Sequence, residues 1–344
     1  MNGQLGSSEP GSSKIAIITG ANSGVGFGIA QRILEHVART SEKITVVLAC
    51  RNQKRAQNAL DSLLSQYPGS DIKILLVDLS SAKSVWAACE EAKKRFSRID
   101  YLFCNAGVLP IQKYDWWRAT GLLTHPKEFL SRSEIVVQSV GEMTEEGLGF
   151  AFAANVFGHY LMIRYLEDLM AAAGEARIIW TGSCTTEVDH VYDLEDYQAI
   201  KSQNPYEATK HSADLISIAL NDRLNGRNIY SFTTHPGVVV SSIANLPYAI
   251  ERLRSIAHYI ARVAGLNNQT ISGWNGAISN IYAAFKQPIT VLDPRSQYGS
   301  YCYRLGEPFV CENTIKHYDE DLAKKLLEKL DRLANAIERQ YSNN

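Results

Sequence analysis

Apolar positions along the chain alternate between two spacings. Short β-branched runs, of the kind that buried parallel strands require, stand at Lys14 to Thr19 (KIAIIT), Ile44 to Cys50 (ITVVLAC), Ile72 to Val77 (IKILLV) and Ile99 to Cys104 (IDYLFC). Between them the spacing turns helical. In Phe27 to Ala38, Ile29, Ile33, Leu34 and Val37 share one face, and Gln53 to Gln66 and Ser84 to Arg95 continue the pattern. This order predicts an α/β, Rossmann-like, doubly wound parallel sheet, because right-handed crossovers leave few other arrangements.

Residues 108–143 interrupt the rhythm and are expected to be an insertion. The alternation then resumes with a long helix from Thr144 to Ala172, a strand from Ala176 to Thr181, a helix from Tyr206 to Leu224 and a strand from Ile229 to Thr234. Over residues 238–344 the rhythm weakens, which suggests a substrate-binding and C-terminal extension. An amphipathic stretch at 248–264 places Ile250, Leu253, Ala257 and Ile260 on one face, with Arg252, Arg254 and Arg262 elsewhere. Such a helix could be a flap over the substrate pocket with solvated arginines, or could lie at a membrane interface. Four charges in so short a stretch favour the flap. Near the end, a helix at 318–340 aligns Leu322, Leu326, Leu330, Leu333 and Ile337, so it is expected to pack onto the domain. Residues 14–344 thus read as a single domain after a small, polar tail at 1–13 that is expected to be disordered and has the marks of neither a signal nor a transit peptide.

Composition narrows the function. The 344 residues are 45% apolar and 21% charged, as in soluble globular proteins. With 35 basic against 36 acidic residues, no clustered positive charge points to nucleic acid. Six cysteines without a CxxC pair predict neither disulfides nor a zinc site, and suit a reducing, cytosolic solvent. The eight histidines show no metal-ligand spacing; His159 and His235 read as structural. No run of 18 apolar residues predicts a spanning helix. The pair Trp116 and Trp117 reads as core packing, with the lining of an entrance to a pocket as the alternative.

Between the first strand and helix stands Thr19-Gly20-Ala21-Asn22-Ser23-Gly24-Val25-Gly26. Glycines there let the main chain approach a pyrophosphate, to which the next helix offers free N–H groups. The second strand ends at Arg51-Asn52, where many dinucleotide folds carry an acid for the ribose 2′-hydroxyl. A guanidinium there pairs with a 2′-phosphate, so NADP(H) is expected over NAD(H). Asp78, followed by Leu79, is placed to accept a hydrogen bond from adenine, with a capping role before Ser80 as the competing reading.

Tyr206 and Lys210 stand one turn apart on one helix face. A phenol titrates near pH 10, too high for work near neutrality unless a neighbouring ammonium lowers it, which is the expectation here. Such a phenol hands a proton to a carbonyl oxygen as hydride reaches the carbon. Ser183, just after the strand ending at Thr181, can orient that oxygen, and Asn155 is a polar residue in mid-helix where a better helix former would be expected.

In order and spacing, TGANSGVG (19–26), Asp78, NAG (105–107), NVFGH (155–159), TGS (181–183), YEATK (206–210) and PG (236–237) resemble the short-chain dehydrogenase/reductase family. The resemblance implies Tyr206 as acid/base, Lys210 binding the nicotinamide ribose, Ser183 orienting the carbonyl and Asn155 holding a water that links Lys210 to solvent. It also implies that Asn105, Ala106, Gly107, Pro236 and Gly237 line the cofactor site, with Ser241 near the carboxamide. Within the family, segments 114–141, 155–169 and 178–221 resemble 3-keto-steroid reductases of sterol biosynthesis, a group with fungal C-4 demethylation enzymes and an animal 17β-hydroxysteroid dehydrogenase. That likeness implies reduction of a sterol 3-ketone to the 3β-alcohol at the cytosolic face of the endoplasmic reticulum or on lipid droplets. It also implies peripheral membrane contact, with other sterol enzymes or a second copy as partners. Another steroid, a retinoid or a xenobiotic carbonyl is the alternative substrate, and a mainly scaffolding role the alternative function.

Overall fold

Four strands, β1 (Lys14–Thr19), β2 (Ile44–Cys50), β3 (Ile72–Leu76) and β4 (Tyr101–Cys104), pair in parallel, with Ala16 opposite both Val46 and Tyr101. Three helices connect them: α1 (Gly24–Thr40), α2 (Gln53–Gln66) and α3 (Ala82–Arg95). The computed structural model describes residues 13–124, 135–184, 192–240, 248–315 and 317–342. The tail expected at 1–13, apart from Ser13, and the candidate Ser241 lie outside the described residues, as does part of the 108–143 insertion. What is described of that insertion includes β5 (Ile111–Tyr114) and β6 (Val136–Gln138), an antiparallel pair standing apart from the main sheet.

The helix expected from Thr144 begins later. Thr144 and Leu148 close a turn, Thr144 N donating to Leu148 O at 2.7 Å, and Met143 bridges Gly149. Gly147 sits at φ +76, and a Cβ at Gly149 would stand 2.4 Å from Gln198 O, so neither position suits a helix interior. The helix then runs through Phe150–Phe152, a π-helical turn at Ala153–Phe157, and α4 (Gly158–Ala171). Asn155 sits inside the π turn, an irregularity frequent at functional sites.

The remaining elements are β7 (Ala176–Thr181), α5 (Pro205–Leu224), β8 (Ile229–His235), α6 (Tyr248–Val263), α7 (Ile278–Phe285), β9 (Ser296–Cys302), β10 (Pro308–Thr314) and α8 (Glu320–Ser342). The eight-stranded sheet has the order β10-β9-β8-β7-β4-β1-β2-β3, parallel except for β10. One apolar core lies under α3, α4, α5 and α8, and the other under α1, α2 and α7, so both sheet faces are covered. On α8, Leu326, Leu330 and Ala334 are fully buried, the two leucines contributing about 1.5–3 kcal/mol each. Asp331 of the same helix accepts from Arg164 of α4 at 2.7 Å and from Arg223 of α5 at 3.2 Å. This arrangement brings the carboxyl ends of β1, β2, β4, β7 and β8 to one edge.

Candidate active site

A groove of about 440 Å³ crosses that edge, where ligands bind in open α/β sheets. Its floor at one end is the turn between β1 and α1. Gly20 and Gly24 hold φ of +66 and +56, open to glycine at little cost. Gly26 lies behind them: a Cβ there would stand 2.4 Å from Gly20 O and 2.6 Å from Asn105 Nδ2. Asn22, Ser23, Gly24 and Val25 line the groove, and the Ser23 side chain does not cap α1. The first N–H groups of α1 therefore lack the side-chain acceptor that most helices supply. Thr19 is fully buried beneath the groove. Its hydroxyl accepts from the N–H groups of Asn105 and Ala106, both at 2.9 Å, and contacts His159 Nε2 at 2.9 Å. Thr19 and Gly26 thus shape the turn from behind.

Further along, Arg51, Asn52, Asp78 and Leu79 line the wall. The Arg51 side chain is 68% exposed and lies 3.7 Å from Asp78. Asp78 Oδ1 accepts from Ser80 N at 3.0 Å and Ser80 Oγ at 2.6 Å, while Ser81 caps α3. Asn52 caps α2 through Arg55 N at 2.9 Å. Arg55 itself lines the groove, a second cation that the strand-end argument missed. Its signal was the spacing of one helical turn from Arg51.

At the other end, Ser183, Tyr206, Lys210, Asn105, Ala106, Gly107, Pro236 and Gly237 come together. Pro205 opens α5 and so directs Tyr206 and Lys210 from its first turns into the groove. The Ser183 hydroxyl hydrogen-bonds the Tyr206 phenol. Lys210 is 4% exposed, its Nζ donating to Thr181 O at 2.7 Å and lying 5.7 Å from the centre of the Tyr206 ring. Asn155 Oδ1 accepts from Val108 N at 2.7 Å, and its Nδ2 donates to Val108 O and to Thr209 Oγ1, both at 3.0 Å. A Cβ at Gly107 would stand 3.3 Å from Asn155 Oδ1 and 3.4 Å from Lys210 Nζ. The glycine keeps both side chains facing one small space.

The electrostatics differ from the expectation at Tyr206. Burial pushes its phenol well above the ordinary value, Glu207 adds to this, and the Ser183 hydrogen bond opposes it. Desolvating a phenolate deep in the groove outweighs an ammonium that is itself bonded to Thr181 O. The phenol is therefore held neutral. Burial also lowers Lys210, to about 8, against an upward pull from Asp214 and Cys104.

A second departure concerns α6. Three of its cationic and imidazole groups point inward: His258 is 5% and Arg262 8% exposed, and Arg254, absent from the expected site, lines the groove, while Arg252 is exposed. Its apolar side faces out, with Leu253, Ile256, Ile260 and Val263 all more than half exposed. Of the three arginines expected to be solvated, only Arg252 is exposed; Arg262 is buried, and Arg254 Nη2 and His258 Nδ1 turn toward Val239 O and Gln269 Oε1. Trp116 and Trp117 are likewise 50% and 87% exposed, so they are not core packing. Among the described residues, no helix is long and apolar enough to cross a membrane, and no group of three or more His, Cys, Asp or Glu could hold a metal ion.

Residues 14–247 match the family model described as short chain dehydrogenase. The chain is 31% identical over 329 residues to the rat 3-keto-steroid reductase/17-beta-hydroxysteroid dehydrogenase 7, covering 94% of this chain and 96% of that protein. It is 28% identical to a 3-keto-steroid reductase of Schizosaccharomyces pombe, covering 93% and 96% respectively. Among solved structures, the L-sorbose reductase of Gluconobacter frateurii in complex with NADPH and L-sorbose superposes with a TM-score of 0.60 at 19% identity, over 89% of this chain and 98% of that one. That likeness is one of fold. A glycine turn, a Tyr-Lys pair one turn apart on one helix, a serine bonded to the tyrosine and a family match over two thirds of the sequence converge: the chain belongs to the short-chain dehydrogenase family.

Proposed function

We propose that this protein is a 3-keto-steroid reductase that uses NADPH to convert a sterol 3-ketone, a C-4 demethylation intermediate, to the 3β-alcohol. The observation that carries this reading is the Ser183–Tyr206–Lys210 cluster at one end of a groove whose other end holds two arginines, in a chain matched along nearly its whole length by proteins named for that activity.

The residues fit a 2′-phosphorylated dinucleotide. The uncapped start of α1 beyond Gly20 and Gly24 suits a diphosphate, and the largely exposed guanidinium of Arg51, with Arg55 beside it, suits a 2′-phosphate. NADPH supplies the hydride when bound. Ser183 and Tyr206, already hydrogen-bonded, both offer donors to a ketone oxygen placed between them. Tyr206 acts as the general acid, and its half-buried, neutral phenol is the form that reduction requires. Lys210 stabilises the phenolate that results and holds the nicotinamide ribose. Asn155 fixes the loop at Val108 and keeps a water position beside Lys210 and Gly107. Replacing Arg51 with Ala should raise the Kd for NADPH about 10- to 100-fold and leave that for NADH nearly unchanged; fluorescence titration of both cofactors checks this.

The protein works peripherally at a lipid surface, on the cytosolic face of the endoplasmic reticulum or on lipid droplets. A sterol ketone resides in a bilayer, and the uncovered apolar side of α6 lies beside the groove that its Arg254 lines. Leu305, 97% exposed, extends this surface: a Cβ at the adjoining Gly306 would stand 3.1 Å from Arg262 Nη2. Exposed Lys113, Arg118, Arg252 and Arg304 supply cations for anionic headgroups. The test is NADPH consumption with a 3-keto-4-methylsterol in mixed micelles, with the product's C-3 configuration determined. Turnover to the 3β-alcohol supports the reading. Turnover only with retinoids or small carbonyls changes the substrate class, and turnover with no ketone overturns it.

A further inference from the structure

Helix α5 carries a third ionisable group toward the sheet. Asp214 stands one turn beyond Lys210 and two beyond Tyr206, and is 1% exposed. Its Oδ1 and Oδ2 accept from Gln297 Nε2 at 3.1 and 3.3 Å. Gln297 comes from β9 and is itself 7% exposed. The pair is pressed against the backbone of β7's exit: a Cβ at Gly182 would stand 3.0 Å from Gln297 Nε2 and 3.3 Å from Asp214 Oδ1. Gly182 lies between Thr181, whose carbonyl takes the Lys210 ammonium at 2.7 Å, and Ser183, which bonds Tyr206.

The groups that face this pair can be named by element. Lys210 is influenced by Asp214 on α5 and Cys104 on β4, and it in turn acts on the neutral His159 of α4. Asp214 faces Lys210, with Gln297 of β9 as its uncharged donor; the buried Thr233 hydroxyl of β8 lies nearby without a hydrogen bond. A single amide is weak support for a carboxylate removed from water, and a backbone carbonyl is weak support for an ammonium. Asp214 is therefore the principal charge that compensates Lys210, while Asp214 itself is eased first by Gln297 and then by Lys210.

We propose that Asp214 is a positioning residue for the reduction: held by Gln297 behind Gly182, its carboxylate is the counter-charge that keeps Lys210 cationic while Tyr206 gives up its proton. This rests on the reductase reading above and adds to it a residue that contacts neither substrate nor cofactor. The direction of the titrations agrees, since burial raises Asp214 while the Gln297 hydrogen bond and then Lys210 pull it down, and Asp214 pulls Lys210 up against its own burial. Removing the carboxylate therefore lets Lys210 lose its proton at lower pH.

The test is Asp214→Asn, which keeps an acceptor for Gln297 and removes the charge. The alkaline limb of the kcat profile for ketone reduction should move down by about one pH unit, with the KM for ketone changed less than about threefold. NADPH titration gives a readout without any ketone: binding should weaken about tenfold near pH 8.5 and stay near wild type at pH 6. This second measurement stands even if the sterol assignment fails. Should Asp214→Asn not fold, Gln297→Met, which withdraws the amide donor, is expected to shift both profiles in the same direction around neutral pH. A uniform loss at every pH without a shift, or a profile identical to wild type, overturns the proposal.

Discussion

Helices α5 and α6 both flank the groove, and both turn ionisable groups toward it, yet their outer sides meet different surroundings. On α5, Lys210 and Asp214 face inward, and the other side is covered by the leucines of α8. On α6, Arg254, His258 and Arg262 face the domain, and Leu253, Ile256, Ile260 and Val263 are left uncovered. An apolar stripe thus means core in one helix and surface in the other. The helix that carries Tyr206 and Lys210 is packed on both sides, whereas α6 leaves an apolar face uncovered.

The largest expected effect tests the α5 half of this contrast. Tyr206→Phe should lower kcat for ketone reduction about a thousandfold while leaving the NADPH Kd within about twofold; turnover near wild type would remove the acid from the mechanism. Next, Leu330→Ala on α8 should cost about 2–5 kcal/mol in denaturant unfolding. Leu253→Ala on α6, where the side chain is 68% exposed, should change stability by no more than about 0.5 kcal/mol. Comparable losses in the two variants would show that α6 packs as α5 does. The double variant Leu253→Asp/Ile260→Asp should reduce co-flotation with phosphatidylcholine/phosphatidylserine vesicles at least tenfold. Its turnover of a small water-soluble ketone should be unchanged.

The smallest effect concerns acid. Burial lowers His211 of α5 and His258 of α6 to about 4, assisted by His317 and Arg254 respectively. Their folded values lie below the unfolded value near 6.5, so the unfolded chain takes the proton first. The stability of the neutral forms is present above about pH 6.5 and is lost as pH falls toward 4, by about 1 kcal/mol at pH 5.5 for His258. His258→Gln should flatten this part of a Tm-against-pH curve.

Much of the first half of the molecule was legible because its strands are apolar on both faces and its helices on one. β2 and α2 match their expected bounds. β9 escaped the same reasoning although six of its seven residues are buried. It reads SQYGSYC because its polar side chains are satisfied by distant groups, Ser300 by Gly276 O at 2.8 Å and Gln297 by Asp214. Periodicity of hydrophobic residues cannot register a strand buried through hydrogen bonds. The candidate site was legible where one chain segment defines it, as at the glycine turn and the Tyr206–Lys210 pair. Arg254 and Asp214 needed the third dimension.

Local order and spacing by themselves determined the alternating sheet, the phosphate-binding turn and the one-turn separation of Tyr206 and Lys210, because each follows from backbone preferences within a few residues. Only the tertiary structure decided which side of α6 meets water, that burial outweighs Lys210 at the Tyr206 phenol, and that a glutamine from β9 holds a carboxylate behind the lysine. Those outcomes depend on solvation and on Coulomb interactions between segments far apart in the chain, which exist only after the groups are packed together.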